Sequence, residues 1–323
     1  MIPFGAIQAA LPGRVDIVEV CPRDGLQNLQ AFVPTPTKKN MIDALLEAGL
    51  RHLEVTSFVS PKAVPQMADA AEIARYAVEK AGPGVHILAL VPNVHGAQNA
   101  WDTGIREINY VMSVSEAHNK ANVRLTRQQS VDGLKQIADT LPGMRVTVIL
   151  ATAFGCPFEG PVPLEATLHW MRETLRHGGT RVTLADTIGV ANPAQIVSVV
   201  EGVRKEFADL PIGLHLHDTH GTGVANAFAG LLAGISRFES ATGGLGGCPF
   251  APGAAGNTAT EDLVNMFRRM GIETGIDLGR LIALTQFIRS EGISPALTTH
   301  LGSARSYEEF AFFAPSKGCR EGQ

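Results

Sequence analysis

No stretch of the chain approaches the roughly 20 consecutive apolar residues that cross a bilayer, which excludes a membrane-spanning helix. Basic runs are missing too. Lysine and arginine number 27 against 31 aspartates and glutamates, a formal net charge of -4, and that balance excludes the electrostatic footprint of a nucleic-acid binder. Cysteine is scarce. Cys21, Cys156, Cys248 and Cys319 lie far apart and match no zinc spacing, which suits reduced thiols in a cytoplasmic protein. Residues 1–13 lack both the basic-then-apolar order of a secretory signal and the Arg/Ser-rich pattern of a transit segment, so the expected location is cytoplasmic. No linker or low-complexity segment is visible, and one domain over 1–323 is expected, with a barrel over about 14–272 and a helix and tail over 273–323.

What is present is alternation. Hydrophobic residues make up 45% of the 323, ample for a large core. β-branched runs and 3.6-period patterns take turns along the chain. Strands are expected at Val15–Val20, His52–Thr56, Val85–Val91, Glu107–Ser113, Arg145–Ala151, Arg181–Ala185, Gly213–His217 and Arg237–Ala241. Between and after them, helices are expected at Thr37–Ala48, Val64–Ala81, Val94–Trp101, Thr126–Thr140, Leu164–His177, Pro193–Phe207, Gly223–Ala233 and Thr260–Met270. Eight β/α units predict an α/β fold of the (β/α)8 TIM-barrel type, with Leu278–Ser290 as a C-terminal capping helix and a weakly patterned tail from Gly292.

Such barrels carry their chemistry at the C-terminal ends of the strands. Arg23 and Asp24 follow strand one, Glu54 lies in strand two and Ser57 just after it, and Asp186 ends strand six. His215 and His217 sit at i and i+2 on strand seven, so alternation turns both rings to one face. Two imidazoles at that spacing plus a carboxylate from elsewhere make a common metal-binding set. After strand eight comes Gly243-Gly244-Leu245-Gly246-Gly247-Cys248-Pro249, continuing to Asn257. Glycine this dense cannot build a packed element; it makes a loop that brings backbone close to a ligand and can carry Cys248 over a site. Blander readings stand beside these. The loop thiol can be incidental, Asp186 can cap the next turn, and Glu54 can pair with a cation inside the barrel.

Together these segments resemble the family of 3-hydroxy-3-methylglutaryl-CoA lyases, TIM-barrel metal-dependent enzymes related to the isopropylmalate and homocitrate synthases. The resemblance is carried by Pro22-Arg23-Asp24-Gly25-Leu26-Gln27-Asn28, Glu54-Val55-Thr56-Ser57-Phe58-Val59-Ser60-Pro61-Lys62, Gly155-Cys156-Pro157-Phe158-Glu159-Gly160, Asp186-Thr187-Ile188-Gly189, His215-Leu216-His217-Asp218-Thr219 and the glycine-cysteine loop through Asn257 and Glu261. It implies a divalent metal, Mg²⁺ or Mn²⁺, on Asp24, His215, His217 and Asn257. It implies catalytic roles for Arg23, Cys248, His215, Asp24, Asp186 and Glu54, and substrate contacts from Arg23, Gln27, Ser57 and Thr187. Asp218, which can equally cap the next helix, and Glu261 are implied as supports behind the ligands. The expected reaction is retro-Claisen cleavage of 3-hydroxy-3-methylglutaryl-CoA to acetyl-CoA and acetoacetate, in a homodimer or higher homo-oligomer with no nucleic-acid or membrane partner. Departures from the family pattern are His220 in place of tyrosine, His118 where an aromatic is expected, and Pro252 in place of a polar residue. These leave the substrate open, with citramalyl-CoA or another 3-substituted 3-hydroxyglutaryl-CoA as alternatives. A condensing enzyme of the isopropylmalate synthase type and a non-catalytic acyl-CoA or metal-binding barrel are further alternatives.

Overall fold

A computed structural model describes residues 11–247, 256–294 and 297–303. Cys248, Pro252 and Cys319 lie outside the described residues. Eight strands, β1 (Asp16–Glu19), β2 (His52–Ser57), β3 (His86–Val91), β4 (Glu107–Ser113), β5 (Arg145–Ala151), β6 (Arg181–Asp186), β7 (Ile212–Leu216) and β8 (Arg237–Ser240), pair in parallel and in chain order. β8 returns to β1 with Asp16 opposite Arg237 and Glu19 opposite Ser240, which closes the barrel. The described helices are α1 (Thr35–Glu47), α2 (Ala70–Lys80), α3 (Val94–Asp102), α4 (Glu116–Val123), α5 (Arg127–Thr140), α6 (Leu164–Arg176), α7 (Pro193–Glu206), α8 (Gly223–Leu232), α9 (Thr260–Arg269) and α10 (Leu278–Ser290). α10 packs against both α9 and α1 and so completes the helical ring.

The strands are buried on both faces, as a parallel sheet under a shell of helices requires. Their outward residues, such as Leu53, Ile108, Val182 and Leu214, join the core under the helices. The inner face is another matter. TIM barrels usually fill it with branched apolar side chains. Here Glu54 on β2 accepts from Asn109 on β4 at 2.7 Å, and Glu239 on β8 accepts from Thr183 on β6 at 3.0 Å. The barrel axis is therefore polar directly beneath its mouth.

Two expectations are corrected. The helix expected from Val64 to Ala81 starts late: Pro65–Met67 is an isolated tight turn, and α2 begins at Ala70. Lys38 Nζ takes the Gln66 carbonyl at 2.5 Å, so a long-range cation occupies an acceptor that a continuous helix would need. The second is α4, which was not expected. Ser115 caps it by accepting from His118 N at 3.1 Å, and Arg124 ends it at φ +60°. At eight residues it is too short for hydrophobic periodicity to reveal.

Candidate active site

Chain direction out of β1 builds the centre of the site. Pro22 starts a single wide helical turn, Cys21–Gly25, in which Val20 O receives the amides of Arg23, Asp24 and Gly25 at 3.1, 2.7 and 3.3 Å. Such wide turns are uncommon and recur at functional sites. The turn buries Arg23 and Asp24 side by side, joined by an ion pair from Arg23 Nη1 to Asp24 Oδ1. Arg23 Nε donates to Glu54 Oε2 at 2.5 Å. Burial alone would lower the Arg23 pKa, but Asp24 and Glu54 override it and hold the guanidinium far above its ordinary value. Burial likewise pushes Asp24 up, yet Arg23 first and the two histidines next leave it below the usual carboxylate range. The charged pair is thus kept charged.

The expected His-x-His face forms. His215 and His217 have ring centroids 5.1 Å apart. Each of Asp24, His215 and His217 brings one ligand atom, and these atoms lie within 4.8 Å of one another. Asn257 joins them by an isolated bridge to His217 and by donating Nδ2 to Asp24 Oδ2 at 2.7 Å and to Leu245 O at 2.9 Å. Two buried atoms in this group have no protein partner: Asn257 Oδ1 and His217 Nδ1. Buried polar atoms are rarely left so without a ligand to satisfy them. Burial and then the neighbouring His215 lower His217 to about 4, so its ring is neutral near pH 7 and keeps a lone pair. A mixed carboxylate, imidazole and amide-oxygen set of this kind fits a divalent cation.

The glycine loop enters the same centre. Gly246 has φ +122°, and a Cβ there would stand 2.3 Å from Asn257 Nδ2 and 3.3 Å from Asp24 Oδ2. Only glycine lets the backbone pass this close. The loop stem is gripped from behind. Glu261 accepts the Gly243 amide at 3.1–3.2 Å and the Thr285 hydroxyl at 2.9 Å. Thr298 N donates to Gly243 O at 3.1 Å, and its hydroxyl donates to Gly244 O at 3.2 Å. Thr298, in the described part of the weakly patterned tail, therefore sits at the root of the loop.

The other expected site residues separate into two groups. Gln27 Nε2 donates to Asp24 Oδ1 at 2.8 Å, and Ser57, buried at the end of β2, has an unpartnered Oγ. Glu54 pairs with the cation Arg23. Asp186 instead accepts the amides of Val190 and Ala191, both at 3.0 Å, one on each carboxylate oxygen, so it caps the turn after β6. Burial raises its pKa. Asp218 Oδ1 accepts the Gly223 amide at 2.6 Å and so caps the start of α8. Thr187 Oγ1 accepts the amide of Thr152, which stands at φ +60°. His220 Nδ1 lies 2.7 Å from Gly189 O, tying the β6 and β7 loops together, and buried His118 lies 2.7 Å from Ser113 Oγ.

Sequence reasoning missed Glu239. Its Oε2 lies 3.0 Å from His215 Nδ1, and its Oε1 accepts from Thr183. A carboxylate on that nitrogen fixes the tautomer and leaves the other ring nitrogen for a ligand. Burial lowers the His215 pKa, but Glu239 more than offsets this and the net shift is upward. The available signal was a charged residue on the inward register of the last strand, level with His215 across the β7–β8 pairing.

Comparison with known proteins agrees with this geometry. The HMGL-like family model matches residues 14–288. A hydroxymethylglutaryl-CoA lyase of Bacillus subtilis is 40% identical over 292 residues, covering 90% of this chain and 97% of the relative. An (R)-citramalyl-CoA lyase of Chloroflexus aurantiacus is 39% identical over 284 residues, covering 85% and 90%. The crystal structure of an HMG-CoA lyase from Acinetobacter baumannii, in complex with coenzyme A and 3-methylmalate, superposes with a TM-score of 0.86 at 38% identity, covering 92% of this chain and 97% of that one. With a closed (β/α)8 barrel, a buried O/N donor set at its mouth and a family match over most of its length, the chain belongs to the HMGL-like family.

Proposed function

We propose that this chain is a divalent-metal-dependent carbon–carbon lyase that cleaves 3-hydroxy-3-methylglutaryl-CoA to acetyl-CoA and acetoacetate. The observation that carries the reading is the placement of a permanently charged arginine, Arg23, directly against the donor set of Asp24, His215, His217 and Asn257. Those four residues would hold the ion, and Mg²⁺ or Mn²⁺ there would supply a Lewis acid that lowers the pKa of the substrate's 3-hydroxyl.

The reaction removes the proton of the 3-hydroxyl, breaks C2–C3, turns C3–O into the ketone of acetoacetate and leaves the thioester enolate, which takes a proton at C2. Arg23 spends Nε and Nη1 on Glu54 and Asp24, and Nη2 is left for the enolate oxygen. Glu54 and Asn109 hold that guanidinium in place. Cys248, one residue past the described stem of the glycine loop, is the proton donor to C2, and His215, with one ring nitrogen on Glu239 and the other reserved for the ion, would serve as a ligand rather than as a second proton carrier. Gln27, hydrogen-bonded to Asp24, would contact the substrate, together with Ser57 and Thr187 at the C-terminal ends of β2 and β6. Replacing Arg23 with Met should lower kcat by roughly a hundred- to a thousand-fold, as for loss of one oxyanion donor, with metal affinity retained.

A specific observation supports a second substrate reading: the citramalyl-CoA lyase is nearly as similar to this chain, at 39% identity, as the hydroxymethylglutaryl-CoA lyase is, at 40%. The two substrates differ around C3, where one methylene discriminates by only about 1–3 kcal/mol. The test presents both thioesters side by side with Mg²⁺ or Mn²⁺ and scores acetyl-CoA release with and without EDTA. Metal-dependent release from the glutaryl thioester supports the proposal. Preference for citramalyl-CoA moves the protein to the second reading, and no release from either overturns both.

A further inference from the structure

The opposite end of the barrel holds a cluster that the chemistry at the mouth does not use. At the N-terminal ends of β2, β4, β6 and β8 stand His52, Glu107, Arg181 and Arg237. Glu107 is fully engaged: Oε1 meets His86 Nδ1 at 2.5 Å and also Arg145, and Oε2 lies 4.0 Å from Arg181 Nη1. His52 and His86 stack with centroids 4.8 Å apart and planes 7° from parallel.

Arg237 has no such partner. It is only 8% exposed, makes no ion pair among the described residues, and its Nε is buried and unsatisfied. Arg181 Nε is also buried and unsatisfied. Gly213 on β7 has no side chain between them, and its Cβ position lies 3.7 Å from Arg237 Cγ, so the stem of Arg237 lies across β7. Four arginines, Arg14, Arg145, Arg181 and Arg237, gather at this end, and the carboxylates that act on Arg237 are three, Glu239, Asp16 and Glu107, none of them in an ion pair with it among the described residues. Buried charges in folded proteins are ordinarily paired, and a buried guanidinium with open donors is a place for an anion.

We propose that the barrel floor binds a small oxyanion of the phosphate class between Arg237 and Arg181. Guanidinium groups present forked donors that match a tetrahedral oxyanion, and β6 and β8 each offer one with a buried Nε that has no protein partner. Electrostatics agree. Burial and then Arg181 pull Arg237 down to about 10, a cost that an anion between the two relieves. Burial and then Arg237 hold His52 down to about 3, so its ring is neutral and adds a hydrogen bond rather than charge. The bound anion stabilises the barrel by mass action.

The experiment is calorimetric titration of the full chain with inorganic phosphate in EDTA, at ionic strength matched with chloride, with and without saturating coenzyme A. The expected result is saturable binding of one phosphate per chain, unaffected by coenzyme A. Replacing Arg237 with Met should weaken it by about tenfold or more, the worth of a lost charge-assisted hydrogen bond. Arg181→Met, at a partly exposed position, serves as a second variant where Arg237→Met does not fold, with the same weakening expected. Absence of saturable binding, displacement by coenzyme A, or unchanged affinity in both variants overturns the proposal.

Discussion

His215 owes its orientation to Glu239, a residue no motif pointed to. Replacing Glu239 with Gln keeps the volume and the contact to Thr183 but removes the charge from His215 Nδ1. Metal affinity should fall about 10- to 100-fold, as for other carboxylates that support a histidine ligand, and metal titration calorimetry checks it. An unchanged affinity removes Glu239 from the site. Glu261 makes a different prediction. Burial raises its pKa to about 7 from the ordinary 4.5. A carboxyl whose folded pKa is raised contributes stability below the unfolded pKa and loses it as pH rises through the folded value. Thermal unfolding between pH 4.5 and 8 should therefore show a loss toward about 7 that Glu261→Gln reduces. Parallel curves for the two proteins would show that Glu261 does not titrate in that range.

At the scale of elements, the site is the meeting of a wide turn, a strand end and a loop stem. Cys21–Gly25 supplies Arg23 and Asp24, the end of β7 supplies the histidines, and Gly243–Gly247 crosses against Asn257. Gly246 is the tightest point. Its φ of +122° and the 2.3 Å approach of a Cβ to Asn257 forbid a side chain without displacement. Gly246→Ala should strip metal affinity and turnover while the barrel stays folded, as read by metal titration beside circular dichroism. Retained metal affinity would mean that the loop and Asn257 move independently. Asp186 and Asp218 act at this scale too. Each gives its carboxylate to backbone amides of the next turn or helix, which fixes the backbone of the β6 and β7 loops.

For the molecule as a whole, the residues proposed to hold the metal come from positions up to 233 residues apart in sequence, the separation of Asp24 and Asn257. A ligand that ties β1, β7 and the segment after β8 binds the folded barrel and not the unfolded chain. Mg²⁺ or Mn²⁺ at a hundred times its Kd should then add about 2.7 kcal/mol of stability. Melting curves with metal and with EDTA measure this, and Asn257→Ala should shrink the difference. Equal melting with and without metal would mean that the donor set does not bind in the folded state.

The alternation of β-branched and helical periodicities was enough to determine eight β/α units. The positions of Arg23, Asp24, His215 and His217 at strand ends followed from that alternation, because strand direction and period are local properties of the chain. The role of a buried carboxylate was not local. Glu54, Asp186, Asp218 and Glu239 look alike in sequence. One holds an arginine, two cap backbone amides and one orients a histidine. Lys38 interrupting the expected helix at Gln66, and Thr298 gripping the loop root, are likewise contacts between distant segments. Which partner each polar group finds was decided by barrel closure, which brings β8 beside β1 and the loop stem onto Asp24.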